Sequence, residues 1–186
     1  MSEILSYLAA ALPADVFAGA RLLALQCALR MNAYLHVELR AGLLRSLRID
    51  PVQACRELEQ ARWASMVNGA GAAGVAADLR DATLLAQSPA RPDRRRAAGW
   101  ALRTGCPARI AGAESQLRLS GVYLAARSDP SSGEGLSECD RIIRDCGLRD
   151  QGFHGVLSHL TANGVLEGWW ICPDSGDVHW TLAPRR

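Results

Sequence analysis

The sequence predicts a mainly α fold with one small β-hairpin near its C-terminal end, built from two similar helical units. Three observations carry that expectation. Leucines recur at spacings of three and four through the first third, two helical segments in the last third are separated by a turn of about three residues, and the C-terminal stretch alternates in polarity. Composition agrees with a packed chain: the 186 residues are 49% hydrophobic and 22% charged, enough for one substantial domain or two small ones.

From the N-terminus, Val16, Leu22, Leu23, Leu25 and Leu29, then Leu39, Leu43, Leu44 and Leu47, extend a helical pattern across residues 4–63. Asp50 has the chemistry of a helix cap, Pro51 suits a first helical position and Gln53 completes a capping box. On the helix that follows, Ala54, Leu58 and Ala61 form the apolar stripe, while Gln53, Arg56 and Gln60 share the opposite face. Residues 68–74 are rich in glycine and alanine. Asn68-Gly69 can turn a hairpin, but its flanks have poor strand propensity, so the expectation is a degraded or absent hairpin.

Residues 78–87 read as a short helix. Ser88-Pro89-Ala90-Arg91-Pro92 breaks the chain before Arg94-Arg95-Arg96, a run whose ordinary role is to keep a linker in water. Residues 97–103 then form a connecting helix ended by Gly105 and Pro107. The expected organisation is an N-terminal helical unit over residues 1–87, a linker and connecting helix over 88–113, and a C-terminal unit over 114–186.

In the last third, Leu117, Val122, Leu124 and Ala125 are arranged helically over residues 114–127, and Asp129-Pro130-Ser131-Ser132-Gly133 is a loop by composition. Ser137 with Asp140 forms a capping-box pattern ahead of Ile142, Ile143 and Cys146, and Gly147 is a natural helix stop. The next helix starts at Asp150. Its apolar stripe is Phe153, Val156, Leu157 and Leu160; Gln151, Gly155, Ser158 and Ala162 lie opposite, with His154 and His159 on the shoulders. Beyond Asn163-Gly164, two runs flank a turn over residues 173–177. Val178, Trp180 and Leu182 alternate with polar neighbours, a hairpin signature, and Trp169 and Trp170 cannot both face inward.

A weak internal repeat places Leu43, Leu44 and Arg45 over Ile142, Ile143 and Arg144, and Leu58 over Leu157. The first unit therefore reads as a second copy of the helix-turn-helix in the last third.

The order helix, helix, turn, helix, hairpin over residues 114–183 resembles a winged helix-turn-helix domain, with residues 150–163 as third helix and 172–177 as the wing. With the repeat, the architecture is expected to be tandem. The resemblance implies a sequence-specific regulator of transcription that reads the major groove of double-stranded DNA with one or both third helices. Glutamine pairs with adenine and arginine with guanine, which suits Gln53, Arg56 and Gln60 in the first unit and Arg149, Gln151, His154 and Ser158 in the second. Arg45, Arg48, Arg144 and the Arg185-Arg186 tail would contact phosphate. Glu57, Glu59, Asp174 and Asp177 stand against this, as does a formal charge of only +2. The alternative is a protein–protein adaptor or dimerisation module on the same architecture. Trp169, Trp170 and Trp180 suit protein contacts, and residues 3–12 are a candidate for self-association into a homodimer.

Other classes find no support in the residues. Glycine-rich phosphate loops, GxSxG and HExxH are absent, so neither an enzyme nor a cofactor is expected. The six cysteines, Cys27, Cys55, Cys106, Cys139, Cys146 and Cys172, form no CxxC and read as small hydrophobes. Cys139, Cys146, His154 and His159 fail as a zinc set, because histidines five apart point to different sides of a helix; no metal is expected. All 21 basic residues are arginine, which reads as compositional bias. No apolar run of about 20 residues and no basic leader followed by an apolar stretch occurs, so a cytoplasmic chain without a membrane partner is expected.

Overall fold

The computed structural model describes residues 1–71, 74–105, 114–148 and 152–184. Two stretches of it run through the same order of elements. Helix α1 (Ser2–Ala11) precedes α2 (Ala18–Arg30), β1 (His36–Arg40), α3 (Ala41–Leu47), α4 (Pro51–Gln60), β2 (Ala64–Gly71) and β3 (Gly74–Leu79). After the short α5 (Thr83–Gln87), helix α6 (Arg91–Gly105) precedes α7 (Ser115–Arg127), β4 (Glu134–Glu138), α8 (Cys139–Cys146), α9 (Phe153–Ala162), β5 (Leu166–Ile171) and β6 (Asp177–Leu182). Helix, strand, helix, helix, strand, strand thus occurs twice, each time behind a leading helix.

The strands form two antiparallel three-stranded sheets, ordered β1-β3-β2 and β4-β6-β5. The described chain is therefore mainly helical with two small sheets, and none of its helices is long and apolar enough to cross a membrane. The repeat extends to detail. Arg48 and Gly147 both hold the left-handed conformation that ends the second helix of each copy, at φ 50° and 59°, and Leu58 and Leu157 are both fully buried in the third.

The core is one continuous cluster centred on α2 and α7. Every residue of α2 from Ala20 to Leu29 is buried, and α7 is buried from Leu117 to Leu124. The leading helices cross over. Helix α1, from the first half, packs on α7 and α8, and α6 packs on both α2 and α7. Ile4, Leu5 and Leu8 of α1 are buried inside the chain itself, so the apolar face offered above for self-association is used internally.

Several sequence expectations change here. Residues 36–40 are a strand, with Val37 and Leu39 inward and Glu38 and Arg40 outward, so Leu39 does not belong to a helical repeat. A second unexpected strand, β4, pairs Ser137 with Val178; the cap of α8 is Glu138 without a side-chain bond, so the Ser137–Asp140 capping box does not form. The hairpin expected to be degraded or absent in the first half is present as β2–β3, with two breaks of register along β2. Ala64, Val75 and Ala77 are its inward residues, and Asn68 lies within β2 at a bulge, not at a turn. Asp78 and Leu79 end β3, leaving only Thr83–Gln87 helical in that region. Arg94 is no linker residue: it is buried in α6 and donates to Pro89 O and Met31 O, both at 3.0 Å.

Other readings are as expected. Asp50 Oδ1 accepts from Val52 N and Gln53 N at 2.9 and 3.2 Å, although the Gln53 side chain turns to Glu57 instead of closing the box. Trp180 is buried and donates to Ser128 Oγ at 2.8 Å, whereas Trp170 is 54% exposed. Gly135 lies opposite Trp180 because a Cβ there would stand 2.2 Å from the indole. Asp150, Cys106 and Pro107 lie outside the described residues.

Candidate functional site

The third helix of each copy buries one stripe and exposes the other. On α4, Ala54, Cys55 and Leu58 are buried while Gln53, Arg56 and Gln60 are exposed. On α9, Phe153, Val156, Leu157 and Leu160 are buried while His154, Gly155, Ser158 and His159 are exposed. Neither polar face is covered by another part of the described chain. Nothing stands within 4 Å of a Cβ built on Gly152 or Gly155, so the start of α9 presents backbone to open space.

Around α4 the charge is mostly basic and unengaged. Arg40, Arg45, Arg48, Arg56 and Arg62 are exposed, and none takes part in an ion pair among the described residues. The nearby carboxylates are occupied structurally. Glu57 accepts Phe17 N at 3.0 Å, satisfying an amide at the start of α2, and Gln53 Nε2 at 2.9 Å. Glu59 accepts Met66 N at 3.1 Å, anchoring β2 to α4. Arg40 and Arg62 were not singled out from the sequence. The first ends an unexpected strand, and the second follows α4 in a left-handed conformation at φ 55°.

The second copy is arranged differently. Asp145 is buried, and its carboxylate gathers three arginines: Arg144 at 3.2 Å, Arg127 at 3.4 Å and Arg141 at 3.8 Å. Arg127 also donates to Ser6 Oγ at 2.8 Å and lies 4.7 Å over the Tyr123 ring. Arg144, expected to contact phosphate, is thus tied to Asp145, while Arg45 at the repeat-related position has no such partner. The His154 ring sits 5.6 Å from Phe153 and 5.8 Å from Trp169 by centroids, joining the edge of an aromatic group. Arg149, Gln151 and the Arg185-Arg186 tail lie outside the described residues. The β5–β6 turn carries Asp174 and Asp177, and Asp177 accepts Ser175 Oγ at 2.6 Å, so this turn is acidic.

Among the described residues no group of three or more histidine, cysteine or acidic side chains is placed to hold a metal ion. Cys27, Cys55 and Cys146 are buried, and burial raises all three thiols, to about 11 for Cys55 and about 12 for Cys146, which suits inert core residues. Comparisons with protein-family models, curated proteins and solved structures return no match to this chain.

Proposed function

We propose that the chain is a tandem winged helix-turn-helix protein that binds double-stranded DNA through the polar face of α4, with α9 as a second reading helix, and that it regulates transcription. The observation that carries this reading is the exposed, uncovered α4 face, with Gln53, Arg56 and Gln60 on one side of the helix and Arg40, Arg45, Arg48 and Arg62 bordering α3 and α4 without carboxylate partners. A major groove about 12 Å wide admits one helix, and glutamine and arginine are the side chains that pair most specifically with adenine and guanine edges. The twice-repeated helix, strand, helix, helix, strand, strand order supports the winged-helix assignment. With acidic residues on its β5–β6 turn, the second copy supports groove reading by α9 better than phosphate contact by its wing.

The test is selection of duplexes from a random pool by the full chain, followed by binding of the selected duplex in increasing salt. A neutralised phosphate contributes about −0.9 to the slope of log K against log salt. The Arg45→Ala variant should flatten that slope by about one contact and weaken all duplexes alike. Arg56→Ala should cost about 1–3 kcal/mol on the selected site and relax its preference at one base pair. Failure to enrich any sequence, with equal weak binding to all duplexes, would remove the regulator and leave the adaptor.

A further inference from the structure

We infer that the outer face of the second sheet docks a basic protein segment bearing an apolar anchor residue. The face is built by register. Leu136 on β4 pairs with His179 on β6, and His179 pairs with Trp170 on β5, so the three side chains form one row across the sheet on the side away from the core. Leu136 and Trp170 are 55% and 54% exposed, and the Trp170 indole stacks on His179 at 3.9 Å with the rings 4° from parallel. The result is a flat aromatic platform beside an aliphatic side chain, lining an open groove of about 1040 Å³.

The rim selects the occupant. Glu134 and Glu138 flank Leu136 on the same face of β4, and Glu167 lies at the groove edge. All three are exposed and have no ion-pair partner among the described residues. The arginine that lines the groove, Arg127, is already bonded to Asp145 and Ser6. An aromatic platform within a carboxylate rim complements an arginine, whose planar cation stacks on indole and pairs with carboxylates. It repels a nucleic-acid backbone.

The first sheet is an internal control. At the positions matching Leu136 and His179 it carries Glu38 and Ala76, and Asn68 lies opposite Ala76 where Trp170 lies opposite His179. The fold therefore builds this sheet without an exposed aromatic row, and the row in the second half is not a packing requirement. The inference is independent of DNA binding by α4.

The experiment is selection of random dodecapeptides displayed on phage against the immobilised full chain, followed by binding of the synthetic winners. The expected winners carry net positive charge and at least one apolar residue. Trp170→Ala and Leu136→Ser should each weaken their binding at least tenfold, Glu134→Lys should do the same, and rising salt should weaken it further. Circular dichroism should stay unchanged for all three, since the substituted side chains are exposed. No enrichment, winners without positive charge, or binding indifferent to these substitutions would overturn the proposal. So would a chain that dimerises in sedimentation and loses its dimer on Trp170→Ala, because the occupant would then be a second copy.

Discussion

Arg21 and Arg118 hold the same place in the two copies, fourth in α2 and fourth in α7, and both are buried against the far half of the molecule. Arg118 donates from Nη1 to Ser46 O and Leu47 O at 2.9 and 3.0 Å, satisfying carbonyls at the end of α3. Arg21 donates to Val16 O and Pro13 O at 2.9 and 2.8 Å, and its Nε packs against Gly147 at the end of α8. Arg118 thus bonds across to the other half, whereas Arg21 bonds within its own half and reaches the other by packing alone. Arg118→Met keeps much of the volume but leaves the α3 carbonyls unsatisfied, which costs about 1–3 kcal/mol for buried polar groups. Urea unfolding should show a loss of that size in one transition. Two separated transitions would show that the halves are stable apart and that the arginines do not couple them.

Gly147 and Arg48 give a paired test of the same helix end. Gly147 sits at φ 59°, and a Cβ there would stand 2.7 Å from Arg21 Nε, so Gly147→Ala combines left-handed strain with displacement of the guanidinium. The strain alone is about 1–2 kcal/mol. Arg48 holds the equivalent conformation at φ 50° with a side chain present. Arg48→Gly should therefore stabilise the chain by about 1 kcal/mol while Gly147→Ala destabilises it by more than the strain alone. Thermal melts that move in the same direction for both would contradict this account of the repeat.

Legibility in the sequence followed where the information is local. The α7, α8 and α9 helices, the β5–β6 hairpin, the Gly147 stop and the Asp50 cap are written in neighbouring residues. Strand β1 was hidden because it runs into α3 without a loop, so Leu39 falls at a helical spacing from Leu43. Strand β4 is Glu-Gly-Leu-Ser-Glu, with little strand propensity; the space above Gly135 is filled by Trp180, a residue of another strand. The first hairpin is rich in alanine and glycine, which leave little alternation to read. At the candidate site, the exposed faces of α4 and α9 were legible from periodicity. The roles of Glu57 and Glu59 as backbone acceptors, and the capture of Arg144 by Asp145, depend on contacts that no local pattern encodes.

His36 should make the first sheet sensitive to pH. Its Nδ1 lies 2.7 Å from Asp78 on the paired strand, and this hydrogen bond, helped by Glu38 at 3.6 Å from Nε2, raises the imidazole above its ordinary 6.5. The folded state therefore favours the cation. That stabilisation is fully present below about pH 6.5 and is lost as pH rises through the raised value. Both partners are exposed to water, so the contribution stays within the range of surface pairs, about 0–1 kcal/mol. Nuclear magnetic resonance titration should show His36 titrating above a histidine in the unfolded chain, and Asp78→Asn should bring it back. A value at or below the unfolded one would refute the pairing.

Glu57 separates structural from electrostatic roles on the α4 face. Its two oxygens hold Phe17 N and Gln53 Nε2, so the carboxylate stands beside the proposed DNA-reading face because the start of α2 needs an acceptor. Glu57→Ala removes both acceptors and should cost about 1 kcal/mol of stability, the usual loss when such a bond to a helix start is deleted. Glu57→Gln keeps an amide oxygen for Phe17 N and removes the negative charge. Stability should fall less in that variant, while affinity for duplex DNA should rise, because repulsion of the backbone phosphates is relieved. Unfolding and DNA-binding measurements on the two variants check this together. Weaker DNA binding by Glu57→Gln, with the fold retained, would mean that phosphate does not approach this end of α4.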